Sequence, residues 1–119
     1  MSKHSHLNTT VTTVKGKTVI EYGTPLSFKA GATLKGLKEI LMFGRNTLAE
    51  WLEIEPGAVT VKGIDDNITA HRTPKARFKY DLKYKDSTGK TKRGSIILTY
   101  ANDLIIVTDD LQITQYLII

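Results

Sequence analysis

A chain of 119 residues, 40% apolar and 24% charged, has the length and composition of a single folded domain rather than of a disordered protein. It contains no cysteine, which excludes disulfides and thiolate metal sites, and no apolar run approaches the ~20 residues of a membrane span. The net charge of +5 is concentrated, because residues 71–93 hold nine lysines and arginines but only two aspartates. We therefore expect a cytoplasmic protein that does not enter membranes and that carries one strongly basic region.

The N-terminal part is predicted to be a short tail followed by β-structure. Residues 1–8 lack an apolar pattern, so we expect a disordered tail and a single domain over residues 9–119. Residues 9–22 are rich in threonine, valine and isoleucine on either side of Lys15-Gly16-Lys17, which predicts a β-hairpin. Gly23-Thr24-Pro25 ends this hairpin.

Two short helices are predicted next. Thr33 is a suitable N-cap for the first helix, and Gly44 is a residue that can end it. Thr47 and Glu50 form a capping box for a second helix, which Pro56 stops. The apolar residues of both segments recur at helical spacing: Leu34, Leu37, Ile40, Leu41, Leu48, Trp51 and Leu52.

This helical pair carries a family resemblance. Residues 37–52 read Leu-Lys-Glu-Ile-Leu-Met-Phe-Gly-Arg-Asn-Thr-Leu-Ala-Glu-Trp-Leu, and the segment resembles a helix-turn-helix of the DNA-binding kind. The run from Arg45 to Leu48, followed by Trp51, is similar to the start of a recognition helix. The alternative is an αα-hairpin whose apolar side chains cover a sheet. The resemblance implies that five side chains face the major groove or its phosphates: Arg45, Asn46, Thr47, Ala49 and Glu50.

The most regular feature of the sequence is a basic segment with period-two alternation. From Lys75 to Lys85 every odd residue is charged and every even residue is apolar or aromatic, which is the pattern of a half-buried β-strand. A three-residue loop ending at Gly89, with that glycine in a left-handed conformation, would pair Asp86 with Lys90. This register places the following residues opposite each other: Leu82 and Gly94, Tyr80 and Ile96, Phe78 and Leu98, Ala76 and Tyr100, and, on the other face, Lys83 and Arg93.

The remaining segments complete the fold prediction. Residues 58–62 favour a strand and residues 63–73 a surface loop. After a turn at Asn102-Asp103, residues 104–107 favour a strand buried on both faces, whereas residues 108–119 suit a helix or a strand equally well. We predict an α+β domain: an antiparallel sheet of about five or six strands with the helical hairpin packed on one face.

The chain has an apolar end, Tyr116 to Ile119, which needs to be covered. These residues can fold back onto their own sheet, or they can pair with a symmetry mate in a two-fold dimer. The other apolar segments already supply a core for a domain of this size. We therefore expect a homodimer that forms through the apolar end.

The basic hairpin suits a polyanion, and nucleic acid is the partner we expect, with DNA and RNA both open. The tyrosines of the hairpin fall on its predicted buried face, so contacts to the phosphate backbone are expected rather than base reading. The candidate binding residues are Arg72, Lys75, Arg77, Lys79, Lys83, Lys85, Lys90, Lys92 and Arg93, with Arg45 and Asn46 from the helical pair.

Two alternatives stay open. The basic face can be merely solvated, in a non-catalytic interaction or assembly protein. The order of strand, two helices and several antiparallel strands is loosely similar to RelE-type toxin nucleases, which implies a metal-independent ribonuclease. In such a site His71 or a tyrosine such as Tyr80 would act as the base, and three cations would stabilise the reacting phosphate: Arg72, Lys75 and Arg77. No other catalytic constellation, phosphate loop or metal-ligand spacing occurs in the sequence, so we expect a non-enzymatic protein without cofactor or metal.

Overall fold

The computed structural model describes residues 8–30, 33–62 and 75–119, which form an α+β unit. In these residues one α-helix packs against a seven-stranded sheet, so the sheet is larger than the five or six strands predicted. No described helix is both long and apolar enough to cross a membrane. The elements are β1 (Thr9–Val14), β2 (Lys17–Ser27), α1 (Leu34–Leu52), a short 3-10 helix (Pro56–Ala58), β3 (Thr60–Val61), β4 (Ala76–Lys85), β5 (Thr91–Thr99), β6 (Asp103–Thr108) and β7 (Leu111–Ile118).

The strands lie in the order β1-β2-β7-β6-β5-β4-β3. Neighbouring strands are antiparallel except β2 and β7, which run parallel. Strands β3 to β7 therefore form a meander, and α1 carries the chain from β2 to the far edge where β3 begins. The sheet is mixed rather than purely antiparallel, because this crossover lets the meander return and place β7 beside β2.

The predicted pair of helices is one continuous helix, Leu34–Leu52. Its start is confirmed, since the Thr33 hydroxyl accepts a hydrogen bond from an amide of the first turn at 3.1 Å. The predicted break at Gly44 is wrong. A β-carbon on Gly44 would lie 3.3 Å from Ile96 Cγ2, so this glycine lets the helix approach the sheet closely instead of ending it. The helix ends at Glu53, which adopts a left-handed conformation with a φ of 58°.

The core lies between α1 and one face of the sheet. At the C-terminal end of the helix, the Trp51 indole N–H donates a hydrogen bond to the Tyr22 hydroxyl at 2.6 Å and ties α1 to β2. Burial raises the pKa of the Tyr22 hydroxyl above its ordinary value. The fully buried aliphatic side chains of this core are Ile20, Ile40, Leu41, Leu48, Ile96, Leu98, Leu104, Ile106, Ile113 and Leu117.

The predicted hairpin of β4 and β5 is present. The Asp86 amide donates to the Lys90 carbonyl at 2.9 Å, and Gly89 has a φ of +84°. The predicted partner of Ala76 is wrong by one residue: Ala76 pairs with Thr99, because a β-bulge shifts the register between Ala76 and Phe78. The other predicted pairs are confirmed: Leu82 with Gly94, Tyr80 with Ile96, Phe78 with Leu98, and Lys83 with Arg93.

The turn of this hairpin is held by the Asp86 carboxylate. Its Oδ1 accepts hydrogen bonds from the Thr88 hydroxyl at 2.6 Å, the Thr88 amide at 2.9 Å and the Lys90 amide at 3.0 Å. These bonds, above all the one from the Thr88 hydroxyl, hold the pKa of Asp86 below its usual value of 3.8. Because the folded-state pKa is depressed, the stabilisation is present above the unfolded pKa and is lost as the pH falls through the folded one.

We expect Asp86→Asn to lower the melting temperature slightly at neutral pH, because the amide is a weaker acceptor than the carboxylate. The difference from the wild type should shrink as the pH falls from about 5 to about 2, where the wild-type carboxyl becomes protonated. Thermal melts of both proteins across this pH range measure the effect. A difference that stays constant with pH would show that the charge of Asp86 does not stabilise the turn.

The C-terminal residues form an inner strand of the sheet, which resolves the open choice between helix and strand. β7 lies between β2 and β6, and Leu117 is fully buried. The Leu117 amide donates to the Asn102 carbonyl at 2.8 Å, and the Phe28 amide donates to the Ile118 carbonyl at 2.9 Å. The apolar end therefore folds onto its own sheet, the first of its two predicted fates, with Leu117 in the core and Tyr116 and Ile118 about half exposed on the opposite side.

Two predicted segments, the tail at 1–8 and the loop at 63–73, lie almost entirely outside the described residues. Of the tail, only Asn8 is described. Its side-chain amide donates to the Thr24 hydroxyl at 3.2 Å, and its carbonyl accepts from the Gly23 amide at 3.3 Å. This residue is therefore attached to β2 rather than part of a free tail.

Candidate nucleic-acid interface

The sheet has one covered face and one uncovered face. Along β4 the even residues from Phe78 to Tyr84 are buried against the core, and the charged residues between them are exposed on the opposite side. No described helix or strand packs on that opposite side. We call it the open face. The period-two alternation that predicted a half-buried strand thus places the β4 cations on this face.

A cluster of cations occupies one corner of the open face, where β3, β4 and β5 meet. Lys62 follows β3 directly and lies beside Asp81, whose carbonyl accepts a hydrogen bond from the Lys62 amide at 2.9 Å. The cluster contains five cationic side chains and one carboxylate, that of Asp81, so its net charge is +4. We call the five cations the basic corner: Lys62, Lys79, Lys83, Lys85 and Arg93.

Two cations of the basic corner face each other directly. Lys83 lies opposite Arg93, and both are exposed. Hydrogen-bonded and non-hydrogen-bonded pairs alternate along an antiparallel hairpin, and Asp86 with Lys90 is a hydrogen-bonded pair. Lys83 and Arg93 lie three pairs further along and therefore form a non-hydrogen-bonded pair, in which the α-carbons are only about 4.5 Å apart. Like charges in such a pair destabilise a sheet. Within the described residues no carboxylate forms an ion pair with either side chain, and Asp81, which lines the same hollow, balances only one of the positive charges.

Shallow hollows lie between these cations. One of about 480 Å³ is lined by Thr60, Lys83, Lys85, Thr91 and Arg93, together with Ala58 and Tyr84. A second of about 330 Å³ lies between Lys62, Asp81 and Arg93. Threonine hydroxyls and cationic side chains are the groups that commonly contact phosphate oxygens. The corner is therefore equipped to receive a phosphate but carries no exposed aromatic ring for a base.

The structure places several predicted site residues away from the basic corner. Lys92 pairs with buried Tyr84 on the covered side, and its ammonium lies 3.5 Å from the Asp110 carboxylate. Lys90 is exposed in the turn, and Lys75 is exposed just before β4. Arg72 lies outside the described residues.

Arg77 is held at the far end of the hairpin from the turn. Its guanidinium carbon lies 5.7 Å from the centre of the Tyr100 ring, which is a cation–π contact. The side chain is half-buried, and Nε is buried without a hydrogen-bond partner among the described residues. We therefore regard Arg77 as a residue that packs against Tyr100 rather than as a freely exposed cation of the basic corner.

Arg45 and Asn46 lie on α1, on the other side of the sheet from the basic corner. Asn46 is exposed and Arg45 is half-buried, and the Arg45 guanidinium donates to Asn46 Oδ1 at 3.4 Å. The sheet separates these two residues from the basic corner. A single straight duplex lying on the open face would therefore not reach them.

Sequence reasoning missed one member of the basic corner and one further feature of the open face. Lys62 was outside the predicted site because β3 is remote from the hairpin in sequence; the alternation of Thr60, Val61 and Lys62 was the available signal. The second feature is an apolar strip along β5, β6 and β7, in which Tyr116 is 45% and Ile118 is 51% exposed. The other residues of this strip are half-buried: Ile97, Ile105 and Val107.

The features that would mark an enzyme are sparse in the described part of the chain. It contains no group of three or more histidine, cysteine or carboxylate side chains that could hold a metal ion. Tyr80, a candidate base for ribonuclease chemistry, is buried on the covered face, and desolvation raises its pKa. It is therefore poorly placed to accept a proton from a substrate on the open face.

The sequence suggested two family resemblances, to a helix-turn-helix and to RelE-type nucleases. Residues 37–52 form one helix without the turn that separates the two helices of a helix-turn-helix. The comparison with RelE-type nucleases was based on the order of a strand, two helices and several strands, and the structure has one long helix in place of the two. His71 and Arg72, two residues of the candidate ribonuclease site, lie outside the described residues. A scan against protein-family models and searches of curated proteins and of solved structures found no match to this chain.

Proposed function

We propose that this protein binds nucleic acid, without catalysis and without a cofactor, through phosphate contacts made by the basic corner. The observation that carries the proposal is the direct opposition of Lys83 and Arg93 on an uncovered sheet face. Folding places these cations where they repel each other, so an arriving polyanion gains the attraction of both and also relieves their repulsion. Lys62, Lys79 and Lys85 extend the same positive field on either side.

The proposed contacts are to the backbone rather than to bases. The aromatic rings of β4, Phe78, Tyr80 and Tyr84, are buried on the covered face and unavailable for stacking. Lysines on a strand lie about 6–7 Å apart at alternate positions, and their long side chains can follow a phosphate chain of either DNA or RNA. We therefore propose weak sequence preference and strong dependence on salt.

The experiment is a charge reversal of three lysines of the basic corner, Lys79, Lys83 and Lys85, to glutamate. All three are exposed, so the variant should fold. We expect its affinity for DNA or RNA to fall by on the order of 100-fold at low salt, equally for all sequences, because three phosphate contacts become repulsive. Fluorescence anisotropy with labelled oligonucleotides measures the loss.

The matched control reverses three lysines away from the basic corner, one just after β2 and two on α1: Lys29, Lys35 and Lys38. These are also exposed, and their reversal changes the net charge by the same amount, from +5 to −1. A local site predicts that the control keeps most of its affinity, whereas attraction to net charge alone predicts equal losses. Equal losses in both variants, or no loss in the first, would refute the basic corner as the binding site.

The apolar strip of the open face favours a second candidate, a non-catalytic interaction or assembly protein. Tyr116 and Ile118 are each about half exposed on the open face, which also carries the half-buried cross-strand pair of Ile97 and Ile105. Large apolar side chains grouped on a surface are typical of a protein contact. This candidate predicts no binding to DNA or RNA even at low salt. It also predicts that the double variant Tyr116→Ser and Ile118→Ser reduces self-association in light scattering.

A further inference from the structure

The strand β1 is an unusually open edge of the sheet. It has six residues, Thr9–Val14, with no charge, proline or glycine, and five of the six are exposed. Val11 is 51% and Val14 is 53% exposed. An edge strand that is regular, uncharged and rich in β-branched residues is a template for pairing with another strand.

The hydrogen-bonding groups that β1 leaves free can be identified from the adjoining turn. Lys15 and Gly16 have φ values of 52° and 80°, a two-residue hairpin turn closed by the pair Val14 and Lys17. Val14 therefore directs its backbone N–H and C=O toward β2. Because these directions alternate along an antiparallel strand, the N–H and C=O groups of Thr9, Val11 and Thr13 point away from the sheet.

The opposite edge of the sheet is protected against such pairing. It consists of β3, which has two residues and is followed by the charged Lys62. On the β1 side, the residues of the strand are exposed on both faces, so α1 does not cover the space beside the edge. The sheet formed by the described residues therefore has one long, accessible edge and one short edge followed by a charge.

We infer that two copies of this chain pair through β1, antiparallel and about a two-fold axis at Val11, to form one continuous sheet of fourteen strands. The two-fold axis requires each residue to face a residue on the same side of the sheet. The register centred on Val11 meets this condition. It places Val11 opposite its own copy, Thr10 opposite Thr12, and Thr9 opposite Thr13.

This register uses every free group of the edge. Each copy contributes three N–H and three C=O groups, from Thr9, Val11 and Thr13, and together they form six hydrogen bonds between the copies. The apolar contact of the two Val11 side chains and the threonine pairs are favourable cross-strand pairs. The segment is therefore complementary to itself, which selects a second copy over an unrelated strand as its partner.

Electrostatic repulsion between two basic copies does not oppose this contact. The strand β4 of the basic corner lies five strand spacings from β1, about 24 Å away. That distance exceeds the screening length of ~8 Å at physiological salt. Because a strand pair is a small interface, we expect a dissociation constant on the order of micromolar. The interface does not depend on the proposed function, since the two surfaces lie at different ends of the sheet.

The test uses two substitutions at Val11 and light scattering at concentrations from about 1 to 100 µM, around the expected constant. Val11→Pro removes an N–H that points outward, so it blocks the new pairing without removing a bond to β2. Val11→Lys places like charges at the two-fold axis. We expect the wild-type protein to dimerise and both variants to stay monomeric. The control Ser87→Lys, which adds the same charge in the exposed turn between β4 and β5, should dimerise like the wild type.

Amide hydrogen exchange gives a second measurement that does not need a variant. The Thr9, Val11 and Thr13 amides should exchange slowly in the dimer and rapidly at concentrations where the chain is monomeric. The inference is overturned if the wild-type chain is monomeric up to 100 µM, about a hundredfold above a micromolar constant. It is also overturned if a dimer survives Val11→Lys, or if these three amides exchange rapidly within the dimer. Loss of the dimer in Tyr116→Ser with Ile118→Ser, but not in Val11→Lys, would assign the contact to the open face instead.

Discussion

Replacing Gly94 with alanine is expected to lower the free energy of unfolding by about 3 kcal/mol, or the melting temperature by about 10–15 °C. Gly94 lies in β5 between Leu82 of β4 and Thr108 of β6. A β-carbon at this position would overlap the Val107 carbonyl oxygen and lie 3.1 Å from Thr108 Cα. These are backbone atoms of a paired strand, so the clash can be relieved only by moving β6 away from β5.

The matched control for this prediction is Gly57→Ala. Gly57 is exposed in the short 3-10 helix, and a β-carbon there would meet no atom within 4 Å. We expect the control to change the unfolding free energy by no more than about 0.5 kcal/mol. Urea denaturation of both variants provides the comparison. Similar stabilities for the two variants would mean that β5 and β6 are not as closely paired as the structure has them.

Truncating Leu117 to alanine is expected to cost about 3–4 kcal/mol, because this side chain is fully buried in the core. Leu117 lies in β7 next to Leu26 of β2, and β7 joins the N-terminal hairpin to the rest of the sheet. Deleting residues 117–119 would also remove the backbone bonds to Asn102 and Phe28. We therefore expect the deletion to unfold the protein rather than to convert a folded dimer into a folded monomer.

The neighbouring residue Ile118 supplies the control for Leu117. It is 51% exposed on the open face, so Ile118→Ala should cost less than about 1 kcal/mol. Circular dichroism melts of the two alanine variants measure the difference. If Ile118→Ala were as destabilising as Leu117→Ala, β7 would have to present its other face to the core.

The part of the fold that the sequence predicted best is the hairpin of β4 and β5. Polar and apolar residues alternate along β4, and the turn has an aspartate that accepts hydrogen bonds and a glycine in a left-handed conformation. Local chemistry therefore determines the register of the hairpin. The same local reasoning missed the bulge at Ala76, because no glycine or proline marks it. Local reasoning also could not decide whether residues 108–119 form a helix or a strand, because it is the pairing with β2 and β6 that makes this segment a strand.

The prediction failed where tertiary contacts give a residue a role that its type does not reveal. Gly44 can end a helix, but here it packs α1 against Ile96, and the helix continues through it. Lys92 lies opposite Tyr84 as the predicted register requires, but the sequence did not reveal that its ammonium would lie 3.5 Å from the Asp110 carboxylate. Lys62 joins the basic corner only because β3 pairs with β4, a contact between residues about twenty positions apart.

The central claim, that the basic corner binds the phosphate backbone of nucleic acid, is tested most directly by titrating the wild-type protein with double-stranded DNA at several salt concentrations. Five phosphate contacts predict that log K falls against log salt with a slope of about −4 to −5. Single-stranded DNA and RNA should give a shallower slope, because each contact releases fewer counterions. Oligonucleotides of unrelated sequence should give the same slope and affinity. An affinity independent of salt, or no binding at low salt, would contradict the account.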